Sequence, residues 1–263
     1  MIVCSQCGAA IAGVQSNCPR CNPHPWAKRF GKASPLAVLL WKFKTFLLLA
    51  LAKGKLLLLG LTKFSTMASM LVSFGVYWAR WGWEFAAGFV LSIYVHEMGH
   101  VSALKRFGIA ATAPMFIPGF GALIWQKEAA KNVEQDAIVG LAGPLWGAGA
   151  ALAALGAYGI THLPVWGAIA RTGAWINLFN LTPIFFLDGS HAFRALAKRD
   201  RLIIAVIALG LWGITHVGML LLVAGVALFR CFGNDAPAQG ISSILVEFSG
   251  LIAVLGFLAS LPV

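Results

Sequence analysis

Charge is what this sequence has least of. Charged side chains make up 11% of its 263 residues, and only nine are Asp or Glu. Soluble domains keep about a quarter of their residues charged, so an ordinary water-facing globule is excluded for most of the chain. Cysteine is nearly confined to one end: four of the five fall within the first 21 positions. There is no internal repeat and no extended low-complexity tract. No signal peptide is expected, because residues 1–34 are polar, Cys-containing and basic instead of carrying a short apolar core and a cleavage site. The first spanning segment is therefore expected to act as the insertion signal.

What is present is apolar. Hydrophobic residues reach 59% with a mean hydropathy of +0.82, and they come in several runs near bilayer length. The expected fold is an all-α polytopic membrane protein of about six transmembrane helices, with a re-entrant or strand-like loop and a small N-terminal zinc ribbon. The formal charge of +11 comes from Lys and Arg in short loops between apolar runs. They read as topology determinants that keep the N-terminus of a multi-pass cell-membrane protein cytoplasmic, and no nucleic acid partner is expected.

Cys4-x-x-Cys7 and Cys18-Pro-Arg-Cys21 form two knuckles separated by ten residues. Four thiolates so spaced suit a tetrahedral structural zinc, and a module this small has almost no core without its metal. Two disulfides are the alternative, opposed by basic residues on the same side of the membrane, which point to a reducing compartment. Four cysteines already fill a tetrahedron, so His24 is expected to be solvated. Cys231 reads as a small, inert hydrophobe. Residues 1–24 are thus a zinc ribbon, expected to meet a cytoplasmic protein partner. Residues 25–64 are a basic linker and interfacial helix, in which Lys42 and Lys53, like Lys44 and Lys55, recur about three helical turns apart. A transmembrane helix or tight hairpin over 35–62 is the alternative. Residues 65–263 form the membrane domain.

A span from about Thr66 to Trp81 ends in an aromatic belt of Trp78, Trp81 and Trp83. The run from Phe85 to Arg106 then carries His96-Glu97-Met98-Gly99-His100. Positions four apart share a helix face, so both imidazoles can reach one ion with Glu97 beside them. Neutral imidazoles hold a cation, and a carboxylate next to it orients water and takes its proton. H-E-x-x-H alone is only moderately specific. Its apolar flanks raise its weight, because an acidic residue at mid-membrane costs about 2.5–3.5 kcal/mol and ionisable groups there mark function. Lys105 and Arg106 place that end of the helix on the cytoplasmic side, with His100 on the order of 10 Å below the surface.

The stretch 113–125 is apolar but broken by Pro114, Pro118, Gly119 and Gly121. It predicts a strand-like or re-entrant loop, with Pro118, Gly119, Phe120 and Gly121 binding an extended substrate backbone. An ordinary apolar loop is the alternative. A third span, about Ala137 to Gly159, is rich in glycine with Pro144 inside it, as close helix packing needs. A fourth, about Leu163 to Leu181, contains Arg171. Then Pro183 breaks the helix, and Asp188-Gly189 turns the chain before Arg194, Lys198, Arg199 and Arg201. Asp188 returns to the depth of His96 and His100 and is the best-placed third metal ligand; a plain turn residue is the alternative. Residues 202–230 make one long or two short helices broken near Gly213 to Gly218, with His216 expected to be packed and hydrogen-bonded. A last span covers about Ile241 to Leu261.

His96-Glu97-Met98-Gly99-His100 in an apolar helix, Gly143-Pro144 in the next, and Asn180-x-x-Pro183-x-x-x-Leu187-Asp188-Gly189 together resemble the site-2 protease family of intramembrane zinc metalloproteases. The resemblance covers about residues 66–200. It implies that His96, His100 and Asp188 ligate a catalytic zinc, that Glu97 is general base and acid, and that Asn180 stabilises the tetrahedral intermediate. The implied activity is that of a zinc metalloendopeptidase cutting in or near transmembrane segments of membrane-protein substrates within the lipid bilayer. Two features depart from the family pattern: Ser190 stands where members often have a second glycine, and no PDZ-like domain interrupts the chain. A catalytically silent zinc-binding scaffold is the alternative function; zinc transport would need a relay of intramembrane carboxylates and histidines, and only one cluster is visible.

Overall fold

The computed structural model describes residues 2–3, 10–11, 63–119, 121–124, 126 and 128–262. The chain divides into two compact units, Met1–Leu58 and Leu59–Val263. In the first, strands β1 (Ile2–Val3) and β2 (Ala10–Ile11) pair antiparallel, with Ile2 opposite Ile11 and Val3 opposite Ala10. Cys4, Cys7, Cys18 and Cys21 lie outside the described residues, as does the stretch 35–62.

The second unit is predominantly helical. Helix α1 (Lys63–Trp81) and helix α2 (Trp83–Arg106) are joined by Gly82 alone, whose φ of 88° only glycine adopts freely, so the two helices run back to back. Tyr77 meets Phe89 edge-on at 5.1 Å and Trp81 meets Phe85 at 6.0 Å along that seam. Trp78, Trp81 and Trp83 all point outward. At the far end of α2, Lys105 and Arg106 occupy the last turn, where free carbonyls favour cations.

Residues 113–125 do contain strands. β3 (Met115–Ile117) and β4 (Gly121–Leu123) form an antiparallel hairpin with Phe116 opposite Ala122. Gly119 and Gly121, with φ of 83° and 91°, make its turn. Two side chains of α1 hold it: Ser69 Oγ accepts from the Phe116 amide at 3.1 Å, and Tyr77 Oη from the Gly119 amide at 3.0 Å.

Helix α3 (Val133–Thr161) starts where Asn132 Oδ1 caps the Gln135 amide at 2.8 Å and ends at His162 in the left-handed region. Helix α4 (Pro164–Asn180) follows with proline in its first turn, where the missing N–H costs nothing. The chain then makes a tight loop to a short helix α5 (Asp188–Phe193). Asp188 therefore opens a helix instead of forming the expected turn. Gly189 is required for a different reason: its φ is not positive, but a Cβ there would overlap the Leu181 carbonyl.

Residues 202–230 are divided between two helices, α6 (Lys198–Thr215) and α7 (Gly218–Cys231). The break is His216, exposed with φ 53°; it is a turn residue and not the packed histidine that was expected. Helix α8 (Ser242–Ala259) closes the unit. Its Phe248 and Ile252 are buried with Phe193, Leu196, Ile204 and Leu220 in one core shared by α3 to α8.

Among the described residues two helices are long and apolar enough to cross a membrane, α3 and α8; α7 is apolar but shorter. The outward faces are apolar too, with Leu71, Leu91, Val206, Val246 and Phe257 all exposed. Water-soluble proteins rarely leave such surface uncovered.

Candidate metal centre

His96 and His100 lie one turn apart on α2, and Asp188 begins α5. Their side chains converge. His96 Nε2 is 3.1 Å from His100 Nε2 and 3.2 Å from Asp188 Oδ2, and His100 Nε2 is 3.3 Å from Asp188 Oδ1. Among the described residues this is the one group of three His, Cys, Asp or Glu side chains able to hold a metal ion.

The proton positions follow from the partners. His100 Nδ1 is 2.8 Å from the Val139 carbonyl, which can only accept, so Nδ1 carries the hydrogen and Nε2 presents a lone pair. Asn177 donates from Nδ2 to the Gly173 carbonyl at 2.8 Å, which fixes its amide orientation. Its Oδ1 then accepts from His96 Nδ1 at 2.7 Å, so His96 Nε2 is also a lone pair. Two lone pairs and a carboxylate thus face one point, and Asp188 Oδ2 is buried without a hydrogen-bond donor. Electron-rich atoms in this arrangement repel one another unless a cation sits among them. Their separations also match the edge of about 3.3 Å expected of a tetrahedron with arms of about 2.0 Å. The residues fit a metal ion.

Glycines make the convergence possible. Gly140, Gly143 and Gly147 recur at spacings of three and four on α3, forming one bare stripe. A Cβ at Gly143 would overlap His100 Nε2 and come within 2.7 Å of His96 Nε2; at Gly147 it would overlap the Asn177 amide. At Gly140 it would press within 2.8 Å of the Asp188 carbonyl and of His191 Cβ. Gly99 on α2 is equally constrained, against the Ala142 carbonyl. The glycines expected to promote close packing therefore make room for the site itself.

The three residues open into a cavity of about 200 Å³, and Glu97 and Asn180 line it with them. Asn180 Nδ2 is 3.4 Å from His96 Nε2. Strand β4 forms another wall through Gly121, Ala122 and Leu123, continued by Ile124. Of the four loop residues expected to bind substrate, Gly121 lines the cavity, while Pro118 and Gly119 are in the hairpin turn, where the Gly119 amide donates to Tyr77. Phe120 lies outside the described residues.

Three residues escaped the sequence reading. Asn177 orients His96, and its signal was a buried amide one turn before Asn180 on an apolar helix. His191, one turn after Asp188, also lines the cavity; its Nδ1 donates to Asp136 Oδ1 at 2.9 Å, while Arg194 holds Asp136 Oδ2 at 3.2 Å. Arg201, read as a loop charge, is buried completely. Comparison of the chain with protein families, curated proteins and solved structures returned no match.

Proposed function

We propose that this chain is a membrane-embedded zinc metalloendopeptidase that cuts peptide bonds in or near the transmembrane segments of other proteins. One observation carries the reading: residues from α2 and α5 bring two imidazole lone pairs and a carboxylate to one point, beside a buried glutamate and strand β4. The motif resemblance to site-2 proteases points the same way.

His96, His100 and Asp188 would hold the ion, and zinc suits a set of two imidazoles and one carboxylate. Zinc supplies Lewis acidity toward a carbonyl and toward water. Glu97 takes the proton of the attacking water as its oxygen bonds to the scissile carbon, and passes it to the departing amide nitrogen as the C–N bond breaks. Asn180 Nδ2 stands where it can donate to the oxygen that gains charge. Asn177 and the Val139 carbonyl keep both imidazoles in the tautomer that leaves Nε2 free. Strand β4 offers its outer edge to an extended chain, so a substrate helix has to unwind first and helix-weakening Gly or Pro near the bond favours cleavage.

In the proposed topology the N-terminus and the hairpin face the cytoplasm, α1 to α4 cross in turn, and α8 crosses last. α6 and α7 form an out-and-back pair over the stretch 202–230, which the sequence leaves as one long or two short helices. His96, Glu97 and His100 themselves lower the hydropathy of α2, which is why a motif-bearing span falls short of the apolarity of α3. The N-terminal cysteines would bind a second, structural zinc in a module that meets a cytoplasmic protein.

Purified protein in detergent, incubated with single-span peptides, tests the activity. Chelator-sensitive fragments from wild type and none from Glu97→Gln, with metal retained in both, are expected. Metal-dependent binding of the peptides without fragments would replace the protease by the silent scaffold.

A further inference from the structure

Arg201 uses every donor it has. Nε donates to the Leu196 carbonyl at 3.1 Å. Nη1 donates to the Arg230 carbonyl at 2.8 Å and to Asp235 Oδ1 at 2.9 Å. Nη2 donates to the Phe193 carbonyl at 2.8 Å and to Asp235 Oδ2 at 3.2 Å. A guanidinium has five N–H groups in a rigid fork, and here five acceptors meet them. Such a group fixes the relative positions of everything it touches. Asp235 is shared with Arg230, whose Nη2 also binds it, while Arg230 Nη1 donates to the Pro183 carbonyl at 3.0 Å. Both guanidinium carbons lie close to the Phe193 ring, at 5.8 and 5.9 Å from its centroid.

Pro183 and Phe193 are the two ends of the segment that carries Asp188. One ion cluster therefore grips that segment at both ends. Between them, Ser190 Oγ donates to the Phe185 carbonyl at 2.6 Å and ties the loop to α5. Ser190 is the position where the sequence departs from the usual glycine, and its hydroxyl now has a role. The residues that build the cluster come from the start of α6, the end of α7 and the loop after it. All lie beyond the region that resembles the protease family.

We propose that Arg201, Arg230 and Asp235 form a clamp that sets the position of Asp188 against His96 and His100. They are positioning residues, acting through the backbone of 183–193, and the inference rests on the reading of the three-residue centre as a metal site. A pure staple for the C-terminal helices would stabilise the protein without coupling to Asp188. A clamp couples, because loosening the segment matters to the ion only while the carboxylate is there.

The test is Zn²⁺ affinity of the full-length protein in detergent, by competition with a chelator, taking the ribbon's share from His100→Ala. Asp235→Asn and Arg230→Lys each weaken the core site about 10–100-fold, the usual effect of losing an outer support. In Asp188→Ala, adding Asp235→Asn produces no further loss. A second measurement needs no metal: amide exchange of 183–193 in metal-free protein rises in Asp235→Asn. Unchanged affinity in both single variants, or losses that simply add in the double variant, would overturn the clamp. No difference between wild type and His100→Ala would instead overturn the metal reading, and the clamp with it.

Discussion

Asn177 Oδ1 accepts a hydrogen bond from His96 Nδ1 at 2.7 Å across 81 residues of sequence. That one contact decides which nitrogen of His96 faces the cavity. Replacing Asn177 with Leu removes the acceptor and leaves a buried N–H unpaired, at a cost of about 1–3 kcal/mol in stability. Core-site metal affinity is expected to fall about 10–100-fold. Asn177→Asp keeps an acceptor and should lie nearer wild type. Chelator competition on the three proteins checks the order; equal affinities would remove Asn177 from the centre.

Gly143 faces both ring nitrogens, and neither ring can swing freely because each Nδ1 is held. Gly143→Ala puts a methyl where the ion would sit. We expect loss of metal from the core centre, together with about 1–3 kcal/mol of overpacking strain. Metal content and thermal unfolding of the purified variant measure the two effects separately. Full retention of core metal would show that the ion sits elsewhere.

Asp235 is held well below the usual carboxylate range by the hydrogen bonds and charges of Arg201 and Arg230. A depressed folded-state value stabilises the fold above the unfolded value of about 3.9 and is lost as pH falls from there through the folded value. Asp235 is 44% exposed, so solvent screens the effect and its size stays modest. The gap in stability between wild type and Asp235→Asn should be constant above about pH 5 and shrink in more acidic solution. Denaturation across a pH series measures it; a gap that widens with acid would reverse the assignment.

Phe185 has φ 46° with its side chain exposed. An L-residue in the left-handed region costs about 1–2 kcal/mol, whereas glycine is comfortable there. Phe185→Gly is therefore expected to be more stable than Phe185→Ala by about 1 kcal/mol, the opposite of their order in a helix. Chemical or thermal unfolding of the pair decides it.

Much of the helical layout was legible because its signals are local. Apolar runs near bilayer length, the breaks at Pro114, Pro118 and Pro183, and the basic residues between runs mark where helices begin and end through short-range sterics and hydration. The paired histidines follow from helical spacing alone. The strand character of 115–123 was legible as a choice between two readings, since Pro and Gly exclude a helix without specifying what replaces it. Arg201 was misread because a charge beside a loop looks alike whether solvent or five acceptors surround it.

By itself the sequence determined that most of this chain is apolar helix, that His96 and His100 share a face with Glu97 beside them, and that Asp188 follows a broken helix. Only the tertiary structure decided that Asp188 meets those imidazoles, that Asn177 and the Val139 carbonyl orient them, and that β4 edges the cavity. Helix periodicity is written in neighbours a few residues apart. Convergence depends on how closely α3 can approach α2, α4 and α5, which its bare glycine face permits, and on the ion cluster at Arg201, whose partners lie up to 34 residues away.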